Sequence, residues 1–398
     1  MAMSTISSTG ITAILDQLLK NPVVLDVEST ISAKGNPFNQ ANKLVTIQLK
    51  QGNAPAVVLS ANQFHEALPI LEAASCIIAF NAKFDLAWVR RQLGFIPAVV
   101  WDCQLAEFIM SGQTQKYPSL QGACEKYQVG TKIDIVKTEY WEKGIDTDQI
   151  PFEILAEYGA QDVNVTWDVF QKQVQLFSNE EQSAFKLFRL QCNDLIVLQE
   201  MEHNGIVYDT EGSLKSSDEL EGQVKELERK LYEFTGGTPI NFDSRDHVSV
   251  LLYGGTITED CRVPIGVYKT GAKVGQPRYK IVTKDYQLPR LVEPIKGSEL
   301  KKDGYFSTDE ATLLTVKANK TAKKLIEWLL SRSKIMKLKS TYLLGLPKTI
   351  DDMGWKYGML HSNLNQCVAS TGRLSSTKPN QQNLPKEAKR FCVSRYDC

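Results

Sequence analysis

The chain has 398 residues, equal numbers of basic and acidic side chains (46 each) and 42% hydrophobic content. That is the balance of a water-soluble globular protein long enough for two or three domains. No apolar run approaches the roughly 18 residues of a membrane span, and Met1–Ser8 lacks the basic flank and apolar core of a signal peptide. The eight cysteines stand singly and the four histidines are dispersed, which argues against structural zinc and for a reduced, cytoplasmic setting.

Residues 11–20 have helical spacing and stop at Asn21-Pro22. Val23-Val24-Leu25-Asp26-Val27-Glu28-Ser29 follows as a strand. Its period-2 alternation puts Asp26 and Glu28 on one face, where the two carboxylates repel unless a hard divalent cation lies between them. Strands are expected at 44–49 and 55–59, a helix at 62–73, and a buried inner strand in the apolar run 76–80. A helix then begins within Asn81-Ala82-Lys83-Phe84-Asp85. A short strand at 99–102 precedes helices at 103–110 and 120–127, and 152–177 reads as a long helix or helix pair. On that helix Tyr158 and Asp162, four residues apart, share a face. Strands first and helices after give a mixed α/β domain ending near residue 178.

Residues 180–235 are helical in pattern, and 236–310 form a region rich in Gly, Pro and short β-like pieces, among them 248–253 and 278–282. The segment 321–344 reads as a helix that Pro347 ends. Lys320, Lys323, Lys324, Arg332, Lys334, Lys337 and Lys339 lie in or beside it, with Glu327 as its one acid, so a local phosphate-binding surface or a solvated helix face is expected there.

The order Asp-x-Glu on a first strand, Asn-x-x-x-Asp after an inner strand and Tyr-x-x-x-Asp on a late helix resembles the tyrosine-containing DEDD class of 3′–5′ exonucleases. The resemblance covers residues 20–175 and implies an RNase H-like sheet with flanking helices. It assigns Asp26, Glu28, Asp85 and Asp162 as metal ligands and Tyr158 as a catalytic partner. Ser29 and Gln161 depart from the usual Thr and Glu without removing a ligand. Two divalent ions about 4 Å apart would activate water and stabilise the leaving oxygen. Asp26 would bridge them, Glu28 and Asp162 would hold the first, and Asp85 would lie near the second. The Tyr158 hydroxyl, a poor base at neutral pH, would orient the water. Two Mg²⁺ ions, replaceable by Mn²⁺, are the expected cofactors, and Asn81 and Phe84 are candidates for the terminal nucleotide.

The string from Ser370 to Pro385 (STGRLSSTKPNQQNLP) is similar to the thumb-to-palm signature of family A DNA polymerases, and 201–209, 304–313 and 361–366 fit that family's thumb region. The resemblance implies duplex contacts by Arg373, Asn380 and Gln382, where a donor in the minor groove tests pairing geometry without reading sequence, and by Lys334 and Lys337 on phosphates. The palm and fingers motifs of the family do not occur in this sequence.

The expected organisation is an exonuclease domain at 1–178, a helical connector and thumb at 179–345 with a β-containing insertion at about 236–310, and the start of a palm at 346–398. The expected function is a proofreading 3′–5′ exonuclease acting on DNA 3′ ends and primer–template, of compact phage type, in the host cytoplasm if phage-encoded. A separate palm–fingers chain would dock on 345–398. The rivals are an RNase D-like exoribonuclease and a non-catalytic DNA-binding subunit.

Overall fold

A computed structural model describes residues 8–131, 135–179 and 182–394. The chain divides into two compact units, one formed by residues 1–210 together with 346–398, the other by 211–345. No helix among the described residues is long and apolar enough to cross a membrane.

In the first unit, helix α1 (Ser8–Leu18) leads into strand β1 (Pro22–Ser29). β2 (Leu44–Gln51) and β3 (Val57–Ser60) continue as an antiparallel meander, with Asp26 opposite Gln48 and Glu28 opposite Thr46. Helix α2 (Phe64–Glu72) crosses to β4 (Cys76–Ala79), which runs parallel to β1. Helix α3 (Ala82–Leu93) then crosses to β5 (Val100–Asp102), parallel to β4. Among the described residues the sheet order is β3-β2-β1-β4-β5, so the strand bearing the two carboxylates is the central one. The β4 run is wholly buried, as a continuous apolar inner strand must be.

Helices α4 (Cys103–Met110), α5 (Leu120–Tyr127), α6 (Ile135–Glu139), α7 (Phe152–Asn179) and α8 (Gln182–Asn204) follow. The core is deepest at Trp101, fully buried, with Phe170, Phe177 and Phe188 edge-on to it at centroid distances of 5.0, 5.7 and 4.6 Å. Edge-to-face pairs of this kind each add about 1 kcal/mol beyond area burial. The indole N–H donates to Gln173 Oε1 at 2.9 Å, and Gln173 Nε2 donates to the buried Glu107 carboxylate, also at 2.9 Å. The deepest aromatic thereby leaves no buried donor unmet.

Residues 346–398 belong to this same unit. Strand β6 (Ile206–Tyr208) pairs with β9 (Met359–Leu360) on one side and β12 (Cys392–Val393) on the other. Between these lies the hairpin of β10 (Asn363–Asn365) and β11 (Ser375–Thr377). His361 stacks on Phe38 at 4.1 Å, and Trp355 meets the same imidazole edge-on.

The second unit packs α9 (Thr210–Phe234), α10 (Arg245–Tyr253), α11 (Glu310–Thr315) and α12 (Lys320–Lys337) around Leu231, Leu252, Leu325 and neighbouring side chains. A two-stranded ribbon, β7 (Gly255–Val267) and β8 (Pro277–Leu288), extends from it.

Three expectations are corrected. Residues 248–253 are helical, not β-like, because the Ser244 hydroxyl accepts from the His247 N–H and caps a helix start that the apolar run conceals. Pro347 does not end a helix but lies in the first turn of α13 (Gly345–Asp352), where its missing N–H costs nothing. α12 gives way instead to a π-helical turn at Leu338–Leu343. Arg332 is not part of an exposed basic surface. It is 5% exposed and forms ion pairs with Asp243 and Glu228, both at 2.8 Å. Lys339 likewise pairs with Glu221.

Candidate active site

Alternation along β1 sends Asp26 and Glu28 to the face covered by α7, and α7 brings Asp162 to them. Carboxylate oxygens of Asp26, Glu28 and Asp162 lie within 4.8 Å of one another. The close approach depends on Gly159. A Cβ there would sit 2.3 Å from Nε2 and 2.4 Å from Cγ of the fully buried Gln48, so the whole side chain would have to move. Gln48 is also the cross-strand partner of Asp26, so the glycine sets the depth at which α7 rides over the acids.

Asp85 comes from α3, one turn after β4, and is 3% exposed. Burial pushes its carboxyl well above the usual range. Asp26, Asp102 and Glu28 push it further, and the Val27 backbone N–H offsets a small part. Three clustered carboxylates with Asp85 in electrostatic reach are a donor set that fits a hard divalent cation: all-oxygen, anionic, and mutually repulsive without one.

Asp102 was not among the residues singled out from the sequence. It ends β5 and accepts from the backbone N–H groups of Asn81 and Ala82 at the start of α3, at 3.3 and 2.9 Å. It also accepts from those of Gln104 and Leu105 at the start of α4, at 2.8 and 3.0 Å. One carboxylate thus caps two helices and fixes where Asp85 begins its turn. Burial raises its pKa and the four N–H donors counter that. The sequence signal was an Asp just before a helix start, but only for α4; its second helix is unrelated in sequence.

Tyr158 is 4% exposed and packs with Val136, Ile150 and Leu155, its ring edge-on to Trp141 at 6.5 Å. Gln161 faces the other way and donates to the Thr131 carbonyl. Asn81 is exposed in the left-handed region (φ 69°) at the start of α3. With Phe84 it lines a cleft of about 250 Å³, together with Phe38, Tyr117 and Asn365.

The remaining candidates lie elsewhere. Arg373 is exposed after the turn at Gly372. Asn380 Oδ1 accepts from the Gln382 and Asn383 N–H groups, and Gln382 Nε2 donates to the Leu374 carbonyl. Both side chains therefore shape the loop that presents Arg373. Lys334 and Lys337 are exposed on α12 in the other unit.

Residues 4–175, which hold the sheet and the acid cluster, match the 3′–5′ exonuclease domain family. Residues 211–395 match DNA polymerase family A. The chain thus matches, in order, a 3′–5′ exonuclease domain and the start of the DNA polymerase family A region. It is 26% identical over 309 residues to DNA polymerase I of Synechocystis sp., covering 77% of this chain and 26% of that one. To DNA polymerase I of Bacillus subtilis it is also 26% identical, covering 77% and 29%. To the DNA polymerase of Bacillus phage SP01 it is 26% identical over 339 residues, covering 80% and 35%. The chain therefore spans between a quarter and about a third of these relatives. In fold it is similar to the POL domain of Pol1 from M. smegmatis, solved with DNA primer–template and dNTP. The TM-score is 0.65 at 18% identity, over 98% of this chain and 57% of that one.

Proposed function

We propose that this chain is a 3′–5′ exodeoxyribonuclease, the proofreading portion of a family A DNA polymerase, with Mg²⁺ as its working ion. The observation that carries this reading is the convergence of the Asp26, Glu28 and Asp162 carboxylates beside Asp85, in a domain of 3′–5′ exonuclease sequence. Match to the polymerase family beyond residue 210 favours DNA over an RNase D-like RNA substrate. In this reading Asp26, Glu28, Asp85 and Asp162 would hold two divalent ions, which supply Lewis acidity and neutralise charge on the phosphate.

The protein's own residues do the rest. The 3′-terminal nucleotide enters the cleft beside Asn81 and Phe84, with the ring of Phe84 against its base or sugar. Tyr158, held rigidly by its packed ring, aims its hydroxyl at the attacking water. Water oxygen bonds to phosphorus, the bond to the preceding 3′ oxygen breaks, and the proton ends on that oxygen. The products are a nucleoside 5′-monophosphate and a strand one residue shorter. Arg373, in a loop braced by Asn380 and Gln382, and Lys334 and Lys337 on the thumb-like 179–345 region contact the primer–template duplex.

Changing Asp26 to Ala tests the site. Mg²⁺-dependent shortening of a 5′-labelled single-stranded DNA should vanish while DNA affinity in Ca²⁺ is retained. Equal activity without Asp26, or faster cleavage of RNA than of DNA by the wild type, would refute the proposal.

A further inference from the structure

The ribbon β7–β8 has no part in the site described above. Its root is anchored through the buried Ile257, but every residue from Arg262 to Asp285 is exposed. An isolated two-stranded ribbon is marginally stable in water, and this one leaves Val267 53%, Ile281 60% and Val274 60% exposed. Such an arm marks an interaction surface.

Charge indicates what it meets. Residues 261–284 contain Arg262, Lys269, Lys273, Arg278, Lys280 and Lys284 and no acid, in a chain whose total charge balances. Among the described residues none of these six cations is within ion-pair distance of a carboxylate. Elsewhere in the same unit Arg229, Arg290, Lys302 and Arg332 each hold one. Asp260 and Asp285, toward the root, are bonded across the ribbon to Thr283 and Thr258.

The register sorts the cations by face. Cys261 opposes Val282, Val263 opposes Lys280 and Gly266 opposes Arg278, so Arg278, Lys280 and Lys284 share one face at two- and four-residue intervals. Glu259, opposite Lys284, is the acid on that face. Its aromatics are Tyr286, at the root beneath Lys284 (5.7 Å), and Tyr268, which pairs with Gln276 near the tip; Tyr279 points to the other side. With one exposed ring, Tyr268 near the tip, the basic face offers no row of platforms for successive unpaired bases, whereas a two-stranded ribbon has the width of a duplex groove.

We propose that this ribbon is a duplex-DNA-binding arm, with Arg278, Lys280 and Lys284 on the phosphates. The proposal rests on the reading of the chain as a DNA-acting enzyme and extends it to a surface outside the exonuclease cleft. Binding is measured on the full chain in an Asp26→Ala background, which keeps the probe intact, with a labelled blunt duplex, a single strand of equal length and polyglutamate, across a range of NaCl. Each phosphate contact contributes about 0.9 to the slope of log K against log salt on duplex. The Arg278→Gln/Lys280→Gln/Lys284→Gln variant should therefore lose about two to three from that slope. A charge-keeping Arg278→Lys/Lys280→Arg variant should retain it, and both should melt with the parent because the positions are exposed. If the triple variant melts early, Lys280→Glu alone supplies the comparison, and an unchanged duplex slope there overturns the proposal. The same slope for the triple variant, loss confined to the single strand, or loss confined to polyglutamate also overturns it. The last outcome would assign the arm to an acidic protein. Failure of the parent to bind any DNA would instead remove the underlying reading.

Discussion

Lys83 and Glu202 form an ion pair at 2.5 Å, their side chains only 15% and 10% exposed. Lys83 Nζ also donates to the Leu364 carbonyl, and the Leu364 N–H donates to Glu202 Oε1 at 2.6 Å. The helix that carries Asp85 is thereby clamped to the hairpin strand just before the Arg373 loop. Removing one member of a buried pair strands the other charge, at about 3 kcal/mol or more. Lys83→Met should lower the melting temperature accordingly and slow cleavage, and adding Glu202→Leu should recover much of the stability. A single variant as stable as the wild type would show that the clamp carries little energy.

Asp85 sits in a conflict that metal resolves. Its carboxyl is raised first by burial and then by its acidic neighbours from the usual 3.8. An acid whose folded-state pKa lies above its unfolded value stabilises the fold while protonated. That contribution is complete below the unfolded value and is lost as pH rises through the folded one. At about pH 8 in EDTA, Asp85→Asn should therefore melt a few degrees above the wild type, roughly 3 °C for about 1 kcal/mol in a unit of this size. Mg²⁺ should raise the wild type more than the variant. A variant less stable than the wild type in EDTA would contradict the charge conflict.

Tyr158 separates positioning from binding. Its ring is fixed by Trp141, Leu155 and Val136, and loss of the hydroxyl leaves that packing intact. Tyr158→Phe should cut the cleavage rate by roughly ten- to hundred-fold, with melting temperature and DNA affinity little changed. A rate equal to that of the wild type would remove the hydroxyl from the mechanism.

Gly159 tests the depth of α7. An added methyl would meet Gln48 well inside contact distance, and overpacking of this kind costs about 1–3 kcal/mol. Gly159→Ala should destabilise the protein and weaken Mg²⁺ dependence of the rate, since Asp162 moves with the helix. Gly159→Ala combined with Gln48→Ala should restore part of both; failure of the pair to do so would place the defect elsewhere.

The acids are legible through the order and spacing of three motifs: Asp26 and Glu28 two apart on β1, Asp85 four residues after Asn81, and Asp162 four after Tyr158 on α7. What no motif shows is how closely α7 rides over the sheet, which Gly159 against Gln48 of β2 sets between distant segments. Arg332 looked like its lysine neighbours because a charge count cannot see that Asp243 and Glu228 meet it. The 248–253 helix was misread because an apolar run carries no period, and the deciding signal was one hydroxyl at Ser244. Residues 346–398 were read as a separate start. In the fold Tyr208, Gly358 and Phe391 are knitted together by backbone hydrogen bonds from Tyr208 and Asp209.

That knitting bears on the order in which the protein assembles. β6 finds its partners β9 and β12 only after the whole of 211–345 has been synthesised. Closing so long a loop is entropically costly, with each doubling in length adding about 0.6 kcal/mol. The Ser213 hydroxyl donates to the Leu343 carbonyl at 2.9 Å, so the two ends of the intervening unit lie side by side once it has folded. The intervening unit then acts as a short tether, so that β9 and β12 reach β6 without closing a long open loop.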